Sequence, residues 1–230
     1  MHPHRDGSEA DRDDPARITA EFVGWIRSDR FTCLAARAAV RRGELVTRVY
    51  PSLSADPDCS PELYRDLVDF AAAQLDQGSR FASFTAIFVR PDDLDEEQFE
   101  RALWNLLGRL HRIDAGQHAW AAGFSADPSA LTFAFSLAGR AFFVAGLNPR
   151  ASRISRRFSR CVLVFNAHEQ FASLKETGQY YSLQRKIRQR ERALQGDINP
   201  MLGDHGENLE AAQYSGRHVG PDWTCPFPFS

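Results

Sequence analysis

The sequence predicts an α+β fold: a single domain over residues 15–230, with helices packed on one mostly antiparallel sheet. Predicted helices and strands interleave along the 230 residues, and no internal stretch has the composition of an interdomain linker. Two strand-like segments, Leu131 to Leu137 and Arg140 to Leu147, flank Ala138-Gly139. A short turn between two such segments is typical of a β-hairpin, so at least one strand pair is expected to be antiparallel.

The first half of the chain predicts three helices and two strands after a polar, disordered lead over residues 1–14. Apolar residues recur at helical spacing in each helix, and Ser60-Pro61 supplies a capping serine and a first-turn proline. The strands are enriched in apolar, β-branched and aromatic residues. The helices run from Pro15 to Ser28, from Cys33 to Arg42 and onward from Ser60; the strands run from Glu44 to Tyr50 and from Phe81 to Val89.

The second half predicts a strongly amphipathic helix over residues 95–112, then the hairpin, a short strand from Cys161 to Phe165, and one long helix from Asn166 to Leu194. From Gln195 to Ser230 the chain shows no periodicity but is rich in Gly, Pro, Asn and aromatic residues. Binding residues concentrate in ordered loops, so this terminal segment is a candidate part of a functional site.

Composition excludes several classes of protein. The net charge of -2 argues against nucleic acid as a partner, because duplex binding normally shows as a basic excess. The four cysteines are scattered and form no C-x-x-C pair, which argues against a zinc knuckle. No window approaches the length of a membrane span or a signal peptide, so we expect a cytoplasmic protein with reduced thiols and no membrane partner.

Several motifs occur in order along the chain: FTCLA at 31–35, AGRAFFVAGLNP at 138–149, SRISRRF at 152–158, VFNAHEQF at 164–171, NPMLGD at 199–204, QYSGR at 213–217 and WTCPF at 223–227. Together they resemble the YqcI/YcgG family over roughly residues 20 to 227. The first motif carries threonine where the family usually has proline.

The resemblance implies a haem-dependent N-oxygenase that hydroxylates a guanidine or amine nitrogen of a small, arginine-like molecule. The oxidant would be oxygen with an external electron donor, or peroxide; the chain carries no flavin or ferredoxin motif, so the oxygen route would need a redox partner. The alternative is a non-catalytic haem or small-molecule binding or sensor protein. A third class is an interaction module that uses the basic segment from Arg185 to Arg192.

The haem cofactor that the resemblance implies suggests roles for several residues. Asn166 and Glu169 have capping-box spacing, which places His168 in a helix's first turn, where a neutral imidazole could bind iron. His168 is therefore the candidate ligand, and a surface histidine without a role is the other interpretation. Arginine forks suit carboxylates, so Arg153, Arg156 and Arg157 are candidates for the haem propionates, unless they form a solvated basic turn. Cys225, in a Cys-Pro dipeptide, is the second candidate ligand, with Cys33 as its N-terminal counterpart.

The terminal segment contains the candidate catalytic carboxylates. Asp204 and Glu207 could pair with a cationic guanidinium, or join His205 in holding a metal, although their spacing matches no tight metal motif. Gln213 to Arg217 supplies hydrogen-bonding groups, and Trp223 an aromatic wall. Four hairpin phenylalanines are expected to divide between the core and the wall of a macrocycle site, namely Phe133, Phe135, Phe142 and Phe143.

Overall fold

A five-stranded mixed sheet organises the chain in the computed structural model, which describes residues 12–198 and 209–227. The strands are β1 (Leu45–Ser52), β2 (Ser83–Arg90), β3 (Phe135–Leu137), β4 (Arg140–Leu147) and β5 (Cys161–Ala167), and their order across the sheet is β1-β2-β5-β4-β3. The β1–β2 pair is parallel and the other three pairs are antiparallel. The predicted α+β fold, with one mostly antiparallel sheet in one domain, is confirmed.

Six α-helices pack on this sheet within the described residues: α1 (Pro15–Arg27), α2 (Leu34–Arg42), α3 (Ser60–Phe70), α4 (Glu96–Asp114), α5 (His168–Glu176) and α6 (Gln179–Gln195). Asp14 caps α1 by accepting from the amides of Ala16 and Arg17, and Gly43 ends α2 in the left-handed conformation. Asp95 and Gln98 form a capping box at the start of α4. Among the described residues, no helix combines the length and the apolar composition needed to cross a membrane.

One face of the sheet, which we call the core face, carries the main hydrophobic core. Alternate residues of β2, Phe84, Ala86 and Phe88, point to this side and are fully buried against helices α3 and α4. Each large apolar side chain buried in this way contributes about 1.5–3 kcal/mol relative to an exposed one. The sequence of β2 is a nearly continuous apolar run because the opposite face of the sheet is covered as well.

The opposite face, which we call the cavity face, is covered by α1, α2, α5 and α6. Ile18, Phe22 and Ile26, spaced along one side of α1, pack against Ile87 and Val162 of the sheet. This second cluster is smaller than the first. The cavity face therefore leaves space between the sheet and its helices, in the form of a partly open cavity.

The predicted hairpin is confirmed, although its first strand is shorter than expected. Ala138 and Gly139 both have positive φ, 54° and 69°, as a two-residue hairpin turn requires. Of the predicted strand from Leu131 to Leu137, only Phe135–Leu137 pairs with β4. Before it, the amide of Phe133 donates to the carbonyl of Ala130, so a local turn uses a backbone group that a ladder would need.

The single long helix predicted from Asn166 is wrong at both its start and its middle. Asn166 belongs to β5, where its Oδ1 accepts from Ser83 Oγ at 2.8 Å. Ala167 therefore occupies the capping position of α5 without a side-chain hydrogen bond, and Glu169 pairs with Arg140. Gly178, at φ 69°, then separates α5 from α6.

The C-terminal segment docks on β4 through a close backbone contact. The amide of Gly146 donates to the carbonyl of Tyr214 at 2.7 Å, and the Tyr214 hydroxyl donates to the Phe142 carbonyl at 2.9 Å. A Cβ on Gly146 would come within 2.9 Å of that Tyr214 carbonyl oxygen, so only glycine permits this approach. The contact fixes the short 3-10 turn Glu210–Gln213 beside the cavity face.

Candidate functional site

A cavity of about 320 Å³ lies on the cavity face, between the sheet and helix α6. Its floor is a row of three residues in register on neighbouring strands: Thr85 pairs with Val164, and Val164 with Ala145. Small and β-branched side chains in this row leave room above the sheet. The size lies at the lower end of the range of roughly 300–1,000 Å³ that is usual for small-molecule sites.

Mostly apolar side chains form the walls and roof of the cavity. Helix α6 contributes Leu183 and Ile187 to the roof, and α1 contributes Phe22 and Ile26 to a wall. Phe143 also lines the cavity, whereas the other three hairpin phenylalanines are buried in the main core: Phe133, Phe135 and Phe142. Three of the four therefore belong to the core, and a macrocycle-binding role for Phe143 stays a prediction.

Cys33 lines the cavity at the N-terminus of α2. Burial raises the pKa of its thiol, while the amides of Ala36 and Ala35 and the guanidinium of Arg156 act in the opposite direction. The carboxylate of Glu191 adds to the effect of burial and also raises the pKa of this thiol. The net effect keeps the thiol protonated at neutral pH in the absence of a bound cation.

Arg156 is the one member of the predicted arginine trio found among the described residues that line the cavity. Its guanidinium donates to the carbonyls of Gly146 at 2.9 Å and Gln213 at 3.4 Å. Burial lowers the pKa of Arg156, and the nearby Glu191 and Cys33 oppose that shift. These contacts hold a positive charge at the edge of the cavity.

The other two predicted arginines bind groups of the chain itself. Arg153 is buried and pairs with Glu191 at 2.9 Å and with Asp197. Arg157 donates to the carbonyls of Ala151 at 2.8 Å and Ser152 at 3.2 Å. Neither is among the described residues that line the cavity, and their assignment to haem propionates stays a prediction.

His168 is buried beside the cavity, next to a carboxylate that does line it. Its Nε2 lies 2.9 Å from Glu210 Oε1, and the Tyr214 hydroxyl oxygen lies 3.1 Å from the same carboxylate oxygen. The ring packs on Phe124, with 4.6 Å between centroids. Glu210 lines the cavity, whereas His168 is absent from the described lining residues, so its role as an iron ligand stays a prediction.

The remaining candidates lie elsewhere. The candidate catalytic residues Asp204 and Glu207, together with His205, fall outside the described residues. Cys225 packs against the main core, away from the described lining of the cavity, and burial raises the pKa of its thiol to about 12. Trp223 lies with it, packed on Trp104 at a centroid distance of 6.5 Å.

Several polar lining residues were not singled out from the sequence, among them Thr85, Glu191 and Glu210. Glu191 accepts from Thr32 and Arg153, so the cavity contains two carboxylates that hydrogen-bonding neighbours hold in place. Thr85 carries a detectable signal, because it is one of two hydroxyl residues, with Ser83, in a nearly continuous apolar predicted strand. The two glutamates carry none, since their burial depends on contacts with residues distant in sequence.

The chemistry of the cavity fits haem, while its size requires a change. Apolar walls suit the macrocycle, a thiol is a known class of haem ligand, and an arginine suits a propionate. A haem is larger than the cavity, so helix α6 would have to move outward to admit one. Glu191 is the one buried residue on that helix, and the other side chains of α6 are exposed or partly exposed. Within the described residues, no cluster of three or more His, Cys, Asp or Glu side chains could hold a bare metal ion.

Comparison with known proteins gives one match, to a family. The model of the YqcI/YcgG family matches residues 22–228, which is nearly the whole chain. No curated protein and no solved structure matches it. The matched range includes every described residue that lines the cavity, from Phe22 of α1 to Gln213 of the C-terminal segment. The chain belongs to the YqcI/YcgG family.

Proposed function

We propose that this protein is a haem-dependent N-oxygenase acting on a guanidine or amine nitrogen of a small molecule, with the cavity as its site. The observation that carries the proposal is the combination in one mostly apolar cavity of a thiol, Cys33, an arginine, Arg156, and a carboxylate, Glu210. The first two suit the cofactor and the third suits a cationic substrate. Membership of the family is consistent with this assignment.

The chain's own residues would bind and orient both ligands. Arg156 would pair with a propionate, and the apolar walls would exclude water from the reacting nitrogen. Glu210, fixed by His168 and Tyr214, would pair with the substrate's guanidinium. Asp204 and Glu207 remain candidates for the same role. Haem, when bound, supplies the oxygen-activating chemistry that no side chain can provide.

The reaction defines the partners that the protein needs. Conversion of an N–H bond to N–OH by O2 consumes two electrons and two protons and releases one water, so an external electron donor is required. With hydrogen peroxide the same conversion needs no donor and also releases one water. The proposal places the protein in the cytoplasm, where its four free thiols would stay reduced.

The test is product formation by haem-loaded protein. Arginine and a panel of guanidines and amines are incubated with the protein and either peroxide or oxygen plus dithionite-reduced mediator, and N-hydroxylated products are detected by mass spectrometry. We expect a product with one added oxygen, which Glu210→Gln should reduce at least tenfold. Glu97→Gln, which changes an exposed carboxylate on α4, is the matched control.

The size of the cavity favours a second function, non-catalytic binding of a small molecule without haem. A volume of 320 Å³ accommodates such a ligand with α6 in its present position. The same experiment separates the two functions. A protein that binds a guanidine by calorimetry, but neither binds haemin nor forms N-hydroxylated product, would be a carrier or sensor rather than an oxygenase.

A further inference from the structure

We infer that the cavity binds a small carboxylic acid with an apolar body, whose carboxylate pairs with Arg156 and whose far end carries an oxygen that bonds Thr85. This inference rests on the second function proposed above, binding of a small molecule without haem, and names the class of ligand. It requires no movement of helix α6. The cavity volume of about 320 Å³ equals that of roughly ten water molecules in the liquid, which suits one aromatic ring with a short acid chain.

The guanidinium of Arg156 lines a mostly apolar cavity and has no carboxylate partner among the described residues. Its hydrogen bonds go to two backbone carbonyls, those of Gly146 at 2.9 Å and Gln213 at 3.4 Å. A guanidinium has five N–H donors, so within the described structure three are left for a ligand. Charged groups withdrawn from water are normally paired in proteins, and a carboxylate matches the arginine fork. The missing partner is therefore an anionic group of the ligand.

The chain holds Arg156 in place before any ligand binds. The residue ends the 3-10 turn Ile154–Arg156, and its two carbonyl acceptors belong to β4 and to the C-terminal segment. Its side-chain stem passes over Gly216, where a Cβ atom would lie 3.4 Å from the arginine Cγ. Because the side chain is already ordered, little conformational entropy is lost when a carboxylate binds it.

The two glutamates that line the cavity are already bound by other groups of the chain. Glu191 accepts from Arg153 at 2.9 Å through one oxygen and from a threonine hydroxyl through the other. Glu191 partly offsets the effect of burial on the pKa of Arg156, but its hydrogen bonds are made elsewhere. Glu210 Oε1 lies 2.9 Å from His168 Nε2. These contacts leave the position beside Arg156 to a carboxylate from outside the chain.

Thr85 points independently to a ligand at the other end of the cavity. Its residue exposure is 0%, and its hydroxyl oxygen has no hydrogen-bonding partner within the described structure. Thr85 lies on β2 and Gly146, which binds Arg156, lies on β4, with β5 between them. Neighbouring strands are about 4.8 Å apart, so the strands that carry the two polar groups are about 10 Å apart. A ligand that reaches both groups has polar ends and an apolar middle that lies over Val164.

The experiment is calorimetric titration of the haem-free protein with three probes of one shape. They are 3-(4-hydroxyphenyl)propanoate, its uncharged amide, and 3-phenylpropanoate, which lacks the hydroxyl. We expect the hydroxy acid to bind with a Kd below about 1 mM, since a ligand of this size can supply that much free energy. The amide should bind at least tenfold more weakly. Loss of the hydroxyl should weaken binding by about threefold or more. Equal affinities for the acid and its amide would overturn the inference.

Variants assign each preference to its residue. Arg156→Gln should abolish the preference for the acid over the amide, and Thr85→Val should abolish only the preference for the hydroxyl. The matched control is Arg109→Gln, because Arg109 also donates to two backbone carbonyls, those of Leu53 at 3.2 Å and Ser54 at 3.3 Å, and lies outside the described lining. This control should keep both preferences. Far-UV circular dichroism checks folding, and the comparison of probes in the wild type decides the matter if Arg156→Gln does not fold.

The outcomes separate this inference from the proposed oxygenase. A protein that binds none of the acids, or that binds guanidines and amines in their place, would overturn the carboxylate assignment and leave the oxygenase proposal to its own product assay. Preference for the hydroxy acid, lost in the two variants as described, supports the assignment even if the protein neither binds haemin nor forms an N-hydroxylated product. Retention of the acid preference in a folded Arg156→Gln variant would overturn the role of Arg156.

Discussion

The buried hydroxyl of Thr85 is a point where the sequence departs from what stability alone would select. It lies at one end of the row that forms the floor of the cavity, beside Val164, with no hydrogen-bonding partner among the described residues. Valine has the same shape and would fill the position without this penalty. We therefore attribute the threonine to ligand binding rather than to folding.

Thr85→Val is expected to stabilise the ligand-free protein by about 1 kcal/mol, because an unpartnered buried polar group is removed at constant volume. The free energy of unfolding, measured in urea, tests this. Thr47→Val is the matched control, since Thr47 pairs with Thr85 in register on the half-buried edge strand; its effect should stay within about 0.5 kcal/mol. A clear loss of stability in Thr85→Val would show that the hydroxyl is bonded inside the folded protein.

Glu191 holds the roof helix to the rest of the cavity. It is buried and accepts from Thr32 and from Arg153, which joins α6 to two separate segments of the chain. Burial raises the pKa of this carboxyl, but the hydrogen bonds from Thr32, Ser155 and Arg153 outweigh it, so the net pKa is lowered from 4.5. The ionised form is therefore the one that the fold stabilises.

Glu191→Gln is expected to cost about 1.5–3 kcal/mol at neutral pH, the usual value of hydrogen bonds to a charged group. A depressed folded pKa contributes stability that is present above the unfolded pKa and is lost as pH falls below about 4.5 through the folded value. The wild type should therefore lose stability more steeply than the variant in this acidic range. Urea titrations at several pH values measure both effects, with Glu97→Gln as the exposed control; equal costs for the two variants would contradict the account.

At the scale of elements, periodicity predicts most of the helices and strands, because the apolar residues along one side of an element indicate the face that is buried. The boundaries of α2 and β4 follow directly from the sequence, since Gly43 ends the helix and the Ala138-Gly139 turn starts the strand. The break between α5 and α6 does not follow. Only Gly178 marks the break in the sequence, and a single glycine in a polar segment does not by itself end a helix; the backbone turn there depends on how α5 packs on β4 and β5.

Gly178→Ala is expected to destabilise the protein by about 1 kcal/mol, because its φ of 69° forces a Cβ into the left-handed region. The position is sterically open, so strain alone sets the cost. Gly24→Ala, inside α1 and equally open, is the matched control and should stabilise by about 0.5–1 kcal/mol through helix propensity. In thermal unfolding, we expect Gly178→Ala to lower the melting temperature and Gly24→Ala to raise it. Changes of the same sign would mean that Gly178 is not the point where the helix breaks.

For the whole molecule, the decisive feature is the difference between the two faces of the sheet. The core face is filled by aromatic and aliphatic side chains, and the cavity face leaves a partly open cavity. The sequence predicts the fold class and places Arg156 and Phe143 near a site. It cannot reveal Glu191 or Glu210, because their positions arise from contacts between residues far apart in the chain, such as Glu191 with Thr32 and Glu210 with His168.

The central claim is that this cavity binds haem, and a haemin titration of the purified protein tests it most directly. We predict a Soret band that saturates at one haem per chain, and loss of that saturation in Ala145→Trp, which fills the cavity above its floor. A protein that stays colourless after expression with a haem precursor and shows no saturable Soret band with added haemin would contradict the claim.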